Sequence, residues 1–159
     1  MENKKEIILN EVSLFNKRFK DIALLMKKWL LEENLLENFN DLNISNTEEF
    51  SGLYDTFLFT FKLKNSFEFE LKPYGIWIVG AACRIDIKGR SGKEILVYVY
   101  EGGPATTVKI STGNNLIEEN TSAVYGYLKE GWYWYMENPS KKPEILTKEL
   151  FFSILERIN

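Results

Sequence analysis

Ile8, Val12, Phe15, Phe19, Ile22, Met26 and Trp29 recur at alternating intervals of four and three residues. That spacing puts all of them on one face of a helix. No proline or glycine interrupts the chain before Gly52, so the pattern predicts one long helix from about Lys4 to Leu36, with Asn16 as its one weak point. Leu24, Leu25, Leu30 and Leu31 widen the apolar stripe. A wide stripe suits a helix lying on a sheet better than a coiled-coil seam.

The pattern then changes period. Residues Asn38 to Ser51 are rich in asparagine, aspartate and serine and read as a connecting loop. Phe57, Phe59, Phe61 and Leu63 alternate with other residues, as do Phe67, Phe69 and Leu71; both runs read as half-buried strands. A three-residue loop, Lys64-Asn65-Ser66, sets Leu63 opposite Phe67, Phe61 opposite Phe69 and Phe59 opposite Leu71. On the other face Lys62 then meets Glu68, charge against charge. A two-residue loop would mix the two faces, so it is rejected.

Pro73-Tyr74-Gly75 reads as a turn, followed by a long strand from Ile76 to Lys88. Trp77, Val79, Ala81, Cys83, Ile85 and Ile87 would form its apolar side. Gly80 within it suggests a bulge or a close backbone approach. A loop Arg90-Ser91-Gly92 would pair Lys88 with Glu94, Ile85 with Val97 and Arg84 with Tyr98. Thr106 to Ser111 is a further short strand, ending at a turn over Thr112-Gly113-Asn114-Asn115. Ala123 to Lys129 and Trp132 to Glu137 are expected to form a last hairpin around Glu130-Gly131. Thr147 can cap a final helix bearing Leu150, Phe151, Ile154, Leu155 and Ile158. The predicted fold is α+β: a long N-terminal helix, an antiparallel sheet of about five to seven strands, and a C-terminal helix packed with the first on one sheet face. Residues 1–159 read as one domain without internal repeats.

Composition narrows the chemistry. The chain has no histidine and one cysteine. A Ser-His-Asp or Cys-His catalytic pair is therefore excluded, as is a histidine- or cysteine-based zinc site. No internal disulfide can form, which suits a reducing compartment. A net charge of −3 gives nothing that draws the protein to nucleic acid or an anionic membrane. The short basic runs Lys4-Lys5, Lys17-Arg18, Lys27-Lys28 and Lys141-Lys142 read as solvated surface. No signal peptide and no membrane-length apolar stretch are visible, and a cytoplasmic location is expected.

Lys88-Gly89-Arg90-Ser91-Gly92-Lys93 superficially suggests a phosphate loop. Only Arg90-Ser91 separates the glycines, however, and Glu94 follows the lysine, so a turn explains it better. Cys83 lies among apolar neighbours and reads as a small buried hydrophobe. The acidic pairs Glu48-Glu49, Glu118-Glu119 and Glu68/Glu70 show no metal-loop spacing and read as surface charge. No cofactor or metal is expected. The aromatic run Trp132-Tyr133-Trp134-Tyr135 places the tryptophans on one face, assigned to the core, and the tyrosines on the other.

If the helices cover one face of the sheet, the other carries Arg84, Asp86, Tyr98, Tyr133 and Tyr135, with Tyr100, Lys62 and Glu68. Tyrosine with arginine is the composition enriched at protein interfaces, and those first five residues are the candidate binding site. The expected function is a small binding protein whose partner is another protein, with self-association left open. In type, without a shared motif, the chain is similar to bacterial toxin-neutralising immunity proteins. The alternative is a small-molecule binding domain, or a histidine-independent enzyme, with a pocket between sheet and helices that uses Arg84, Asp86 or a tyrosine.

Overall fold

The computed structural model describes residues 3–78, 80–136 and 141–159. Helix α1 spans Lys4–Glu32, opened by Asn3, whose side chain accepts from the Lys5 amide. It passes Asn16 without a break, and the Asn16 amide donates to the Asp55 carbonyl at 2.9 Å. The helix stops short of Leu36 because Asn34 takes a left-handed conformation with φ 55°. The Leu35 amide then reaches back to the Leu30 carbonyl at 2.9 Å and Asn34 to Leu31 at 3.0 Å. This is a Schellman cap, with asparagine in the position glycine usually holds.

The segment expected to be a loop, Asn38 to Ser51, is instead mostly strand: β1 covers Leu36–Glu48 and pairs antiparallel along β2, Gly52–Leu63. It is an edge strand, so one row of its backbone groups faces solvent, and its polar composition suits that exposure. Phe39 anchors it, 4.9 Å from Phe61 and 5.9 Å from Phe59 between ring centres.

Strand β3, Glu68–Gly75, meets β2 in the expected register, with Phe61 opposite Phe69, Phe59 opposite Leu71 and Lys62 opposite Glu68. The Leu63 amide donates to the Phe67 carbonyl at 2.8 Å, closing the Lys64-Asn65-Ser66 loop. β3 continues through Pro73-Tyr74-Gly75, where a turn was expected, and bulges there. The chain reverses later, between Gly75 and the start of the next strand at Cys83. Glu48 fixes that point: its carboxylate accepts from the Ile76 amide at 2.9 Å, the Trp77 amide at 3.2 Å and the Tyr54 hydroxyl at 2.6 Å. Gly80, at φ 79°, supports the tight reversal in which Ile78 bridges Ala81. The expected long strand therefore shortens to β4, Cys83–Lys88. Trp77 packs on Phe50 at the surface, 4.6 Å between ring centres, and Val79 lies outside the described residues.

β4 and β5, Lys93–Val99, pair one residue away from the expected register. Lys88 faces Lys93, Ile85 faces Leu96, Arg84 faces Val97 and Cys83 faces Tyr98. The loop is Gly89 to Gly92, with the Gly89 amide bonded to the Gly92 carbonyl at 2.9 Å. Its shape is set by the C-terminal helix, α2, Lys148–Ile158. The Ser91 amide donates to the Ile158 carbonyl at 2.9 Å, and its hydroxyl to the Asn159 carbonyl at 2.6 Å. A Cβ on Gly89 would lie inside the Ile158 carbonyl. The charges that a shorter loop would have paired are separated. Lys88 neighbours Glu70 across β3, while Glu94 accepts from Arg157 at 3.1 Å and from the Trp134 indole at 2.8 Å. β5 is apolar on both faces, so no alternation resists the shift.

After β5, strands β6, Ala105–Thr112, and β7, Asn115–Ala123, form a separate two-stranded ribbon. The expected strand Ala123 to Lys129 is not formed: β7 pairs with β6, and residues 124–130 are bends and loop. β8, Gly131–Tyr135, instead joins the main sheet beside β5, and the short β9, Glu144–Ile145, follows it. The sheet order is β1-β2-β3-β4-β5-β8-β9, with every neighbouring pair antiparallel. The expected end of β8 at Glu137 falls outside the described residues.

The fold is thus α+β as expected, with α2 contacting α1. α1 buries Phe15, Phe19, Ile22, Ala23, Met26 and Leu30 against the sheet, while α2 buries Phe151, Ile154, Leu155 and Ile158. Trp29 meets Phe151 between the helices at 5.5 Å. Thr147 caps α2 as predicted, its hydroxyl oxygen accepting from the Leu150 amide at 3.1 Å. No helix among the described residues is long and apolar enough to cross a membrane.

Three substitutions test this packing. Phe61 is 1% exposed, and Phe61→Ala should cost roughly 3–5 kcal/mol in urea denaturation; a loss below about 1 kcal/mol would contradict its core position. Gly89→Ala should cost about 1–3 kcal/mol by pushing the end of α2 off the loop. Gly92→Ala, where a Cβ meets nothing within 4 Å, should stay within about 0.5 kcal/mol of the parent.

Candidate functional site

The register of β4 and β5 decides which residues share the face away from the helices. Arg84 and Asp86 point there, because Cys83, Ile85 and Ile87 belong to the helix-side core. Across β5 the same row continues through Val97 to Tyr133 and through Ile95 to Tyr135. Four of the five candidate residues, Arg84, Asp86, Tyr133 and Tyr135, are therefore brought onto one face. Tyr98 is not: it stands opposite Cys83, packs edge-on to Trp132 at 5.4 Å and lies under the Arg18 guanidinium at 4.3 Å. Tyr100 is also drawn toward Arg18, at 5.7 Å. The one-residue register change moves both tyrosines to the helix side, since side chains alternate with period two. Burial, then Glu130, raises the Tyr98 hydroxyl above its ordinary range, and Arg18 opposes them.

Arg84 and Asp86 form a fork-like pair within one strand, Nε to Oδ1 at 2.8 Å and Nη2 to Oδ2 at 3.3 Å. The guanidinium also stacks on Tyr74, 3.7 Å from the ring centre, and the Lys93 ammonium stands 3.6 Å from Asp86. The side chains of Arg84 and Asp86 are only 17% and 11% exposed. Such a pair holds its geometry, unlike an exposed one.

Tyr133 and Tyr135 sit in a second, smaller apolar cluster with Ile95, Val97, Val99 and Leu128. Tyr133 is buried, and its hydroxyl donates to the Lys129 carbonyl at 2.8 Å. Burial raises its hydroxyl first, then the nearby Glu101. It therefore supports the face from beneath. Tyr135 is more open and shares a 3.2 Å hydroxyl contact with Tyr125, whose own hydroxyl is raised by that bond first and by burial second. Tyr125 could not be placed here from sequence: its segment was read as a strand, and no local signal shows it folding back.

The outer face has two halves. Over β2, β3 and β4, lysines and glutamates oppose one another, as in Lys62 with Glu68 and Glu70 with Lys88. They line an open trough of about 710 Å³. Alternating signs leave little net field, which suits a solvated surface. Over β5 the residues flanking the β6–β7 ribbon, Pro104 and Val124, stand with Tyr125 above the sheet and leave a partly open cavity of about 310 Å³ that Arg84 and Tyr135 line. On the helix side, a groove of about 260 Å³ between α1 and Tyr98 and Trp132 holds neither Arg84 nor Asp86.

No protein-family model matches the chain, nor does any curated protein or any solved structure. The site must be read from its own geometry. Among the described residues no group of three or more histidine, cysteine, aspartate or glutamate side chains is placed to hold a metal ion.

Cys83 is fully buried on the helix side, and burial pushes its thiol up to about 12 from the ordinary 9.0. In the folded chain it stays a protonated thiol at neutral pH, where a nucleophile would need the thiolate. Because the unfolded chain loses this proton first, the cysteine's share of stability falls as pH climbs from about 9 toward 12. Thiol labelling at pH 8 should therefore proceed only as fast as the chain unfolds, and should accelerate through the urea transition. Rapid labelling of the folded protein would place the thiolate at an accessible site.

Proposed function

We propose that this is a small cytosolic, non-catalytic binding protein, that its partner is another protein, and that the β6–β7 ribbon with the adjoining outer face makes the contact. The observation that carries this reading is the ribbon. Its strands have eight and nine residues, and every one is exposed, on both faces and along both edges. Val108, Ile110, Leu116 and Ile117 are each about half or more in solvent. A two-stranded hairpin alone is marginally stable in water. A ribbon this long that buries neither face in its own fold is suited to pair with something else, through its free backbone edges and the side chains beside them.

The polar groups beside the ribbon support binding over catalysis. Arg84, Asp86 and the Tyr133 hydroxyl are held in structural bonds. The net charge of −3 would steer a basic partner more readily than an acidic one. A toxin-neutralising role, in which an acidic partner covers a basic protein, is one form this function would take.

The ribbon can be removed cleanly, because the Val124 amide already bonds to the Pro104 carbonyl at 2.9 Å. A chain with residues 105–123 replaced by a short glycine-serine link should keep its thermal melt within a few degrees. It should also lose the protein that the full chain captures from its native lysate, as read by mass spectrometry. Equal capture by both chains would overturn the reading. A full chain that elutes as a dimer while the shortened one elutes as a monomer would make the partner a second copy.

A further inference from the structure

We propose that the cavity beneath the ribbon's base is a binding site for a small organic acid: a carboxylate carried on a compact apolar body. The inference stands independently of the ribbon's role in protein binding. The cavity measures about 310 Å³, at the lower end of the roughly 300–1,000 Å³ found for small-molecule sites. Ile95, Val97 and Val99 contribute one side and Pro104 and Val124 the other. These surfaces would take an aromatic ring or a short aliphatic chain, and would favour it for the water it sheds.

The polar groups specify the charge. Arg84 gives two N–H groups to Asp86, and its others have no acceptor among the described residues. Its flat face is already occupied by Tyr74. What stays open is the guanidinium rim, the part that grips a carboxylate with two parallel hydrogen bonds. Charge points the same way. Arg84 and Lys93 share the single carboxylate of Asp86, which leaves one positive charge in the trio uncompensated. The Tyr125 and Tyr135 hydroxyls bond to each other. Only one of them donates in that bond, so the second hydroxyl proton is available to an oxygen of the ligand.

The test uses the full chain with benzoate, phenylacetate and hexanoate as probes, each against its neutral amide. Calorimetry and backbone amide NMR shifts would read the outcome. At least one acid should bind with Kd below about 1 mM and shift the amides of Val97, Val99 and Val124. Its amide should bind about tenfold more weakly or not at all, because the guanidinium contact is lost. Arg84→Gln should weaken the acid by about tenfold. Val124→Trp, a change at a half-exposed position, should fill the cavity and abolish binding while the melt is retained. Should Arg84→Gln fail to fold, the acid–amide comparison and Val124→Trp still decide. Three results would overturn the proposal: no probe binding, acids and amides binding alike, or acid binding that survives Val124→Trp.

Discussion

The fit of the end of α2 into the β4–β5 loop sets which residues of β5 face the helices and which face outward. The Ile158 carbonyl occupies the space a side chain at position 89 would need, and Ser91 donates its amide to that carbonyl and its hydroxyl to the Asn159 carbonyl. That contact selects the loop from Gly89 to Gly92. The loop selects the register, and the register decides which face every residue of β5 presents. Leu96 and Tyr98 go to the helices, while Ile95, Val97 and Val99 go outward. An outward apolar row needs cover, and the base of the ribbon with Tyr125 and Leu128 supplies it. The second apolar cluster and the cavity beside it follow from one backbone approach, and Arg84, whose face is set by alternation within β4, comes to stand next to them.

This dependence explains which parts of the fold were legible in the sequence. β2 and β3 each have one apolar side, so Phe59, Phe61 and Phe69 could occupy only one register, and they do. The helical stripes of α1 and α2 and the Thr147 cap were equally plain, because their signals are local. β5 has no polar side to pin it. Its register rests on a helix some sixty residues further along the chain, through Glu94 with Arg157 and Ser91 with Asn159. Cross-strand pairing of Lys88 with Glu94 was a sound local argument that lost to two tertiary partners. β1 was missed for another reason. An edge strand with one lightly buried side has almost the composition of a loop, and only its pairing along β2 marks it as a strand.

The candidate site shows the same division. Arg84, Asp86, Tyr133 and Tyr135 were grouped correctly because alternation within β4 and within β8 fixes each pair by itself. Tyr98 was placed wrongly because its face depended on the register between strands. Whether the shared face is open or covered by a loop or helix was left undecided by the sequence. Its polar half is open, but its apolar half is roofed, so Tyr133 supports the surface from below and Tyr125 comes into play from outside the expected set.

Ribbon and cavity are built from common residues, and this bears on how they would act together. Pro104 and Val124 join the ribbon to the body through the Val124 amide and Pro104 carbonyl, and both also line the cavity. Gly103 sits close beneath, where a Cβ would come within 3.1 Å of Leu128 in the same apolar cluster. A ligand in the cavity would contact the ribbon's root, and a partner on the ribbon would bear on the cavity wall. If each site is occupied as proposed, and if one occupant prefers a particular setting of that root, thermodynamic linkage requires the preference to be mutual. Coupling of this kind needs no long path through the core: Pro104 and Val124 touch both sites.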